Sequence, residues 1–127
     1  ILLQLFQEAD PKIQIPLIIA LGNLRIPDVV NSLLKTLEIS GNVAVRKACC
    51  KSLGRIGDEK ALPALLNLIN SKKMLGAYKE SDEMRISAIM ALGGFQSAQA
   101  IETVHNLSKD KNPAIARAAK TVFSQKK

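Results

Sequence analysis

The chain has 127 residues, enough for one domain, and its 47% hydrophobic and 23% charged residues describe a globular chain, not a disordered one. Eighteen Lys and Arg against eleven Asp and Glu give a net charge of +7, but aromatics are only 3% and Trp is absent, which removes the exposed rings on which single-stranded nucleic acid stacks. No apolar run reaches the roughly 18 residues of a membrane span, and one His beside an adjacent pair, Cys49 and Cys50, gives no support to a metal site, a catalytic centre or a structural disulfide.

Residues 1–9 align with Leu33 to Gly41 and are predicted to be the second helix of a preceding unit. The chain starts without Met or a charged n-region, and Gln4, Gln7, Glu8 and Asp10 interrupt the apolar run. It reads as the cut edge of a longer protein and not as a signal peptide. A cytoplasmic location is the default expectation.

Asp10 is an N-cap type followed by Pro11 at the first helical position, which opens a helix with Ile13, Leu17 and Leu21 as its inward stripe. Pro16 removes one backbone donor inside it and is expected to kink it. This helix carries the first copy of a recurring element, Ala20-Leu21-Gly22. A second helix follows through Val29, Val30, Leu33 and Leu34.

The next unit starts at the cap Asn42. Val45, Ala48, Cys49, Ser52 and Leu53 fall at i, i+3, i+4, i+7 and i+8, one helical face, and the element recurs as Ser52-Leu53-Gly54. A Gly57-Asp58 turn leads to a second helix with Leu62, Leu65, Leu66 and Ile69 inward. Ser81 then caps a third unit, with Met84, Ala88 and Leu92 inward and the element Ala91-Leu92-Gly93. Ser97 caps its second helix. Asn112 with Pro113 opens a last first helix that ends in the degenerate copy Val122-Phe123-Ser124. The glycines stand 32 and 39 residues apart, and Ser124 follows Gly93 by 31. A period near 32 that holds on both sides of the anchor marks a helical repeat.

One two-helix unit cannot bury its apolar face alone, so the expected architecture is an all-α solenoid of stacked antiparallel helix pairs. The units are 11–40, 43–71 and 82–109, with half units at 1–9 and 113–125 and an insertion at 72–81.

These residues resemble the HEAT-repeat family, above all its phycobilisome-lyase-like short repeats. There a first helix of the form Val-Arg-x-Ala-Ala-x-x-Ala-Leu-Gly is followed by a Gly-Asp turn and Ala-Leu-Pro-x-Leu. Val45-Arg46-Lys47-Ala48-Cys49 through Ser52-Leu53-Gly54, Gly57-Asp58 and Ala61-Leu62-Pro63-Ala64-Leu65 follow this nearly throughout. The third unit keeps Arg85 but lacks the Gly-Asp turn. Gln14 and Ala116 replace the Arg in the first and last units. The resemblance implies a scaffold that binds proteins, with second helices lining a concave side and the repeated Arg pairing with a neighbouring unit's polar loop.

Four features remain as candidates. The expected concave ladder is amide-rich: Asn31, Lys35, Asn67, Asn70, Asn106 and Lys109 could meet a peptide backbone. On the outer face of the first helices, Ile15, Ile19, Ile86 and Met90 stand at positions where the middle unit has Lys47 and Lys51; an exposed apolar row of this kind marks an interaction surface. The insertion holds Lys72, Lys73, Tyr78 and Lys79. It is expected outside the packed helices as the least ordered internal segment, and long loops of this kind often carry function. His105 aligns with Leu34 and Leu66, so it is expected half-buried, and both cysteines read as packing residues.

Positive charge gathers at the end, where Lys109, Lys111, Arg117, Lys120, Lys126 and Lys127 face Asp110 alone. The neutral ladder speaks against a phosphate track. The expected function is a non-catalytic, cofactor-free protein-interaction scaffold. It would bind a protein partner, another part of the parent chain or a second copy. A nucleic-acid-binding repeat and a subunit of a bilin-lyase-like enzyme are the alternatives.

Overall fold

The computed structural model describes residues 10–125; the half unit expected at 1–9 lies outside them. Among the described residues seven α-helices follow one another: α1 (Pro11–Asn23), α2 (Val30–Ile39), α3 (Val43–Ile56), α4 (Leu62–Asn70), α5 (Asp82–Ala91), α6 (Ala98–Leu107) and α7 (Pro113–Gln125). Short 3-10 turns at Pro27–Val29, Glu59–Ala61 and Leu92–Gly94 link them. Among the described residues there is no strand, only an isolated antiparallel bridge between Lys72 and Tyr78.

The first-type helices α1, α3, α5 and α7 stack in a row, and each second-type helix packs on the first helix of the following unit: α2 on α3, α4 on α5, α6 on α7. This is an all-α solenoid. Its starts are capped as the sequence requires. The side chains of Asp10, Asn42, Ser81 and Asn112 accept from the backbone N–H groups of Lys12, Val45, Met84 and Ala114, and Ser97 accepts from Ala100. Each bond satisfies a donor that a helix start leaves without an intrahelical partner. Pro16 sits inside an unbroken α1.

The repeated glycine has a steric cause. In the α1–α3 joint, a Cβ on Gly22 would lie 2.7 Å from Ser52 Cα, and the Ser52 hydroxyl donates to the Ile18 carbonyl at 2.7 Å. In the α3–α5 joint, a Cβ on Gly54 would lie 2.8 Å from both Cα and O of Ala91. The glycine of one unit therefore receives the small first residue of the next unit's Ala-Leu-Gly element. Backbone touches backbone, which only a missing Cβ allows.

Two expectations of burial are corrected. Ile13 is 64% exposed, and Leu17 and Leu21 are half-buried; Gln14, Ile18 and Gly22 are the buried residues of α1. In the later units a second helix from the preceding unit packs on the first helix, but no described helix does so for α1. His105 is exposed, with its ring 5.5 Å from that of Phe123. It lies on α6, and among the described residues no further second-type helix flanks it.

Candidate functional site

Within α3, Cys49 and Cys50 are both fully buried, and burial pushes each thiol up to about 12. Such thiols stay protonated at neutral pH and are poor nucleophiles. No group of three or more His, Cys, Asp or Glu among the described residues could hold a metal ion.

The repeated arginines act on the scaffold. Arg46 Nε donates to the Leu37 carbonyl at 3.0 Å, and Arg85 Nε donates to the Ile69 carbonyl at 2.8 Å. Leu37 and Ile69 are sister positions near the ends of α2 and α4, so each Arg fills a carbonyl the helix end leaves open. The rest of each guanidinium meets the insertion. Arg46 makes a two-pronged ion pair with Glu80, both bonds at 2.9 Å. The hydrogen bonds from Arg46 hold the Glu80 carboxyl below its ordinary value, and Glu80 raises Arg46 in return. Arg85 is 1% exposed and lies 3.5 Å from the centre of the Tyr78 ring, a desolvated cation–π contact. Its Nη2 has no hydrogen-bond partner among the described residues.

The insertion lies outside the helices, but it is folded. Lys73 N–H donates to Ala77 O, Gly76 N–H to Lys73 O, and Lys79 N–H to Ser71 O. Lys72 sits 4.9 Å from the Tyr78 ring centre. Tyr78 and Glu80 thus tie the base of a small hairpin to both arginines, while Met74 and Leu75 stand fully exposed at its tip. Sequence reasoning singled out Tyr78 but missed Glu80, whose role depends on a partner 34 residues away.

Two open grooves remain. One, of about 900 Å³, runs along the row of first-type helices. Ile15 and Ile19 of α1, Lys47 and Lys51 of α3, and Ile86 and Met90 of α5 all line it, so the fold brings together the apolar row and the two sister lysines. Ile15, Ile19 and Ile86 are half-buried against the core, and Met90 is 41% exposed. Lys47 Nζ bonds Glu83 at 2.8 Å across the α3–α5 joint.

The other groove, of about 600 Å³, lies between α2 and α4. Asn31, Lys35 and Asn67 line it together with Leu34, Ala64 and Leu68. Asn70, Asn106 and Lys109 are exposed but do not line it, so the fold gathers half of the amide ladder in one cavity. The Asn67 amide oxygen is taken by the Ser71 hydroxyl, and Lys35 lies 3.8 Å from Glu38. The terminal cations Lys109, Lys111, Arg117 and Lys120 are all exposed.

The pattern of HEAT repeats matches residues 1–76, more than half of the chain. The chain belongs to the HEAT-repeat family. The bilin biosynthesis protein PecE of Nostoc sp. (strain PCC 7120 / SAG 25.82 / UTEX 2576) is 41% identical to this HEAT-repeat chain over 54 residues, 42% of the chain. That stretch is 21% of the relative, so the match spans about a fifth of its length. The likeness to phycobilisome-lyase-like short repeats stands with these two findings. Among the described residues no helix is long and apolar enough to cross a membrane.

Proposed function

We propose that this HEAT-repeat segment is a non-catalytic docking module that seats a protein partner in the groove along its first-type helices. The observation that carries this reading is the composition of the groove floor. Four large aliphatic side chains, Ile15, Ile19, Ile86 and Met90, face one open cavity, although the middle unit has Lys47 and Lys51 at the same places. The repeat therefore does not need apolar residues there. Fully burying one such side chain from water is worth about 1.5–3 kcal/mol, and a partner gains the part of it that Met90 and the half-buried Ile15, Ile19 and Ile86 still leave open. The groove between α2 and α4, with Asn31, Lys35 and Asn67, is a secondary, more polar contact for the same partner. Two free buried thiols suit a reducing, cytoplasmic setting.

The test is a selection from a phage-displayed library of helical peptides. Wild-type chain is expected to retain binders that the Ile19→Lys and Met90→Lys double variant loses, with helicity and melting unchanged. A double variant that unfolds far earlier would put both residues in the core and end this reading.

A second reading, a subunit in bilin biosynthesis, is favoured by the 41% identity to a protein of that name. A shift in bilin absorbance on adding the chain would support it. The chain's own buried thiols offer no attachment point.

A further inference from the structure

The groove along the first-type helices has a one-sided charge. Four cationic residues line it, Arg25, Lys47, Lys51 and Arg55, and no Asp or Glu does. Lys47 is matched by Glu83 from beyond the lining. Arg25, Lys51 and Arg55 are exposed and make no ion pair among the described residues. A solvated lysine row alone would mean little. Arg25 adds an independent observation. It is the single non-glycine residue with positive φ among the described residues, at +53°. Its sister position in the next unit is Gly57, at φ +69°, the glycine that ordinarily ends such a helix without strain. The first unit has an arginine at positive φ where the second unit has a glycine, and that arginine lines the groove. Backbone strain held at a surface site points to a role for the side chain.

We propose that the occupant of this groove is an acidic amphipathic helix of a partner protein, its apolar stripe on Ile15, Ile19, Ile86 and Met90 and its carboxylates on Arg25, Lys51 and Arg55. This rests on the docking reading above and names the partner's chemistry. The floor runs from α1 to α5, two interhelix spacings or about 20 Å, which three to four helical turns would cover. Apolar anchors at i, i+3, i+4 and i+7 are the usual way a helix enters a groove. A second copy of the chain is disfavoured, because groove on groove would oppose the same cations in a chain of net charge +7. Nucleic acid would find charge but an aliphatic floor with no ring to stack on.

The test uses three synthetic peptides of about 14 residues with one leucine register and Glu, Gln or Lys on the flanks, plus a DNA duplex, titrated into the chain by fluorescence anisotropy. The Glu peptide is expected to bind at least about tenfold more tightly than the Gln peptide and to weaken as salt rises. Lys51→Glu with Arg55→Glu is expected to transfer the preference to the Lys peptide. Arg25→Gly is expected to weaken the Glu peptide while leaving Tm unchanged or raised. Equal binding of all three peptides, abolished by Ile19→Lys with Met90→Lys, overturns the acidic partner and leaves docking intact. No peptide binding, or binding indifferent to that double variant, overturns both. A duplex that displaces the Glu peptide from the groove makes the ligand a polyanion and overturns the proposal.

Discussion

The joint between α3 and α5 and the joint between α5 and α7 join the same kind of helices by different means. In the first, the missing Cβ of Gly54 lets the backbone of Ala91 approach, and Gly94 meets Gly54 O closely enough that a Cβ there would overlap it. Arg46–Glu80 and Lys47–Glu83 cross the same joint, and Tyr78 covers Arg85 beside it. In the second, a Cβ on the sister glycine Gly93 would lie an ordinary 3.5 Å from Val122 Cγ1. Ala116 stands where the arginine would be, and Asn112 Nδ2 donating to Asp82 at 3.0 Å ties the joint. The insertion and the strict glycine belong to the same joint. The repeat motif is strict where backbones touch and relaxed where side chains fill the gap.

The largest effect should come from Gly54→Ala. The gain in helix propensity, up to about 1 kcal/mol, is outweighed by a clash with backbone that cannot rotate away. A net loss of about 2–3 kcal/mol is expected, read as a Tm lower by about 10 °C. A Tm within a degree of wild type would erase the distinction between the joints.

Glu80→Gln should cost about 1–2 kcal/mol, because it removes a charge-assisted pair of bonds and leaves Arg46 half-satisfied. The carboxyl is depressed in the folded chain below 4.5. Its contribution is therefore present above that ordinary value and fades as pH falls through the lower, folded one. Denaturant titrations at neutral and acid pH should show the gap between wild type and variant closing only on the acid side; a gap constant with pH would assign the effect to packing.

Asn112→Ala should cost about 1 kcal/mol, the loss of an N-cap, together with the Asp82 tie. Fraying of α7, seen as faster amide exchange there and not in α3, is the expected signature. Gly93→Ala should change stability by less than about 0.5 kcal/mol, since its new methyl meets only ordinary contact distances. A large loss would mean that the second joint is as close as the first.

The helix starts were legible because a cap is a local event. Asp10, Asn42, Ser81 and Asn112 each bond a donor two or three residues away, and such spacing is visible in a string of letters. The period was legible for the same reason. Ile13 and His105 were misplaced because their burial depends on a flanking helix, and among the described residues none packs on α1 or α6 at the sister position. The outer groove was legible in part. Helical phase put Ile15, Ile19, Ile86 and Met90 on one side, but it did not show Arg25 and Arg55 closing the same cavity.

By itself, then, the sequence determined the helix pairs, their caps, their order and the membership of a repeat family, because these follow from periodicity and short-range hydrogen bonding. Tertiary structure alone decided why Gly54 must be glycine while Gly93 need not be, which carbonyls Arg46 and Arg85 fill, and how Tyr78 and Glu80 tie the insertion to the stack. Each of these depends on an approach between residues 7 to 37 positions apart. A distance of that kind is set by how whole helices pack, and no local pattern encodes it.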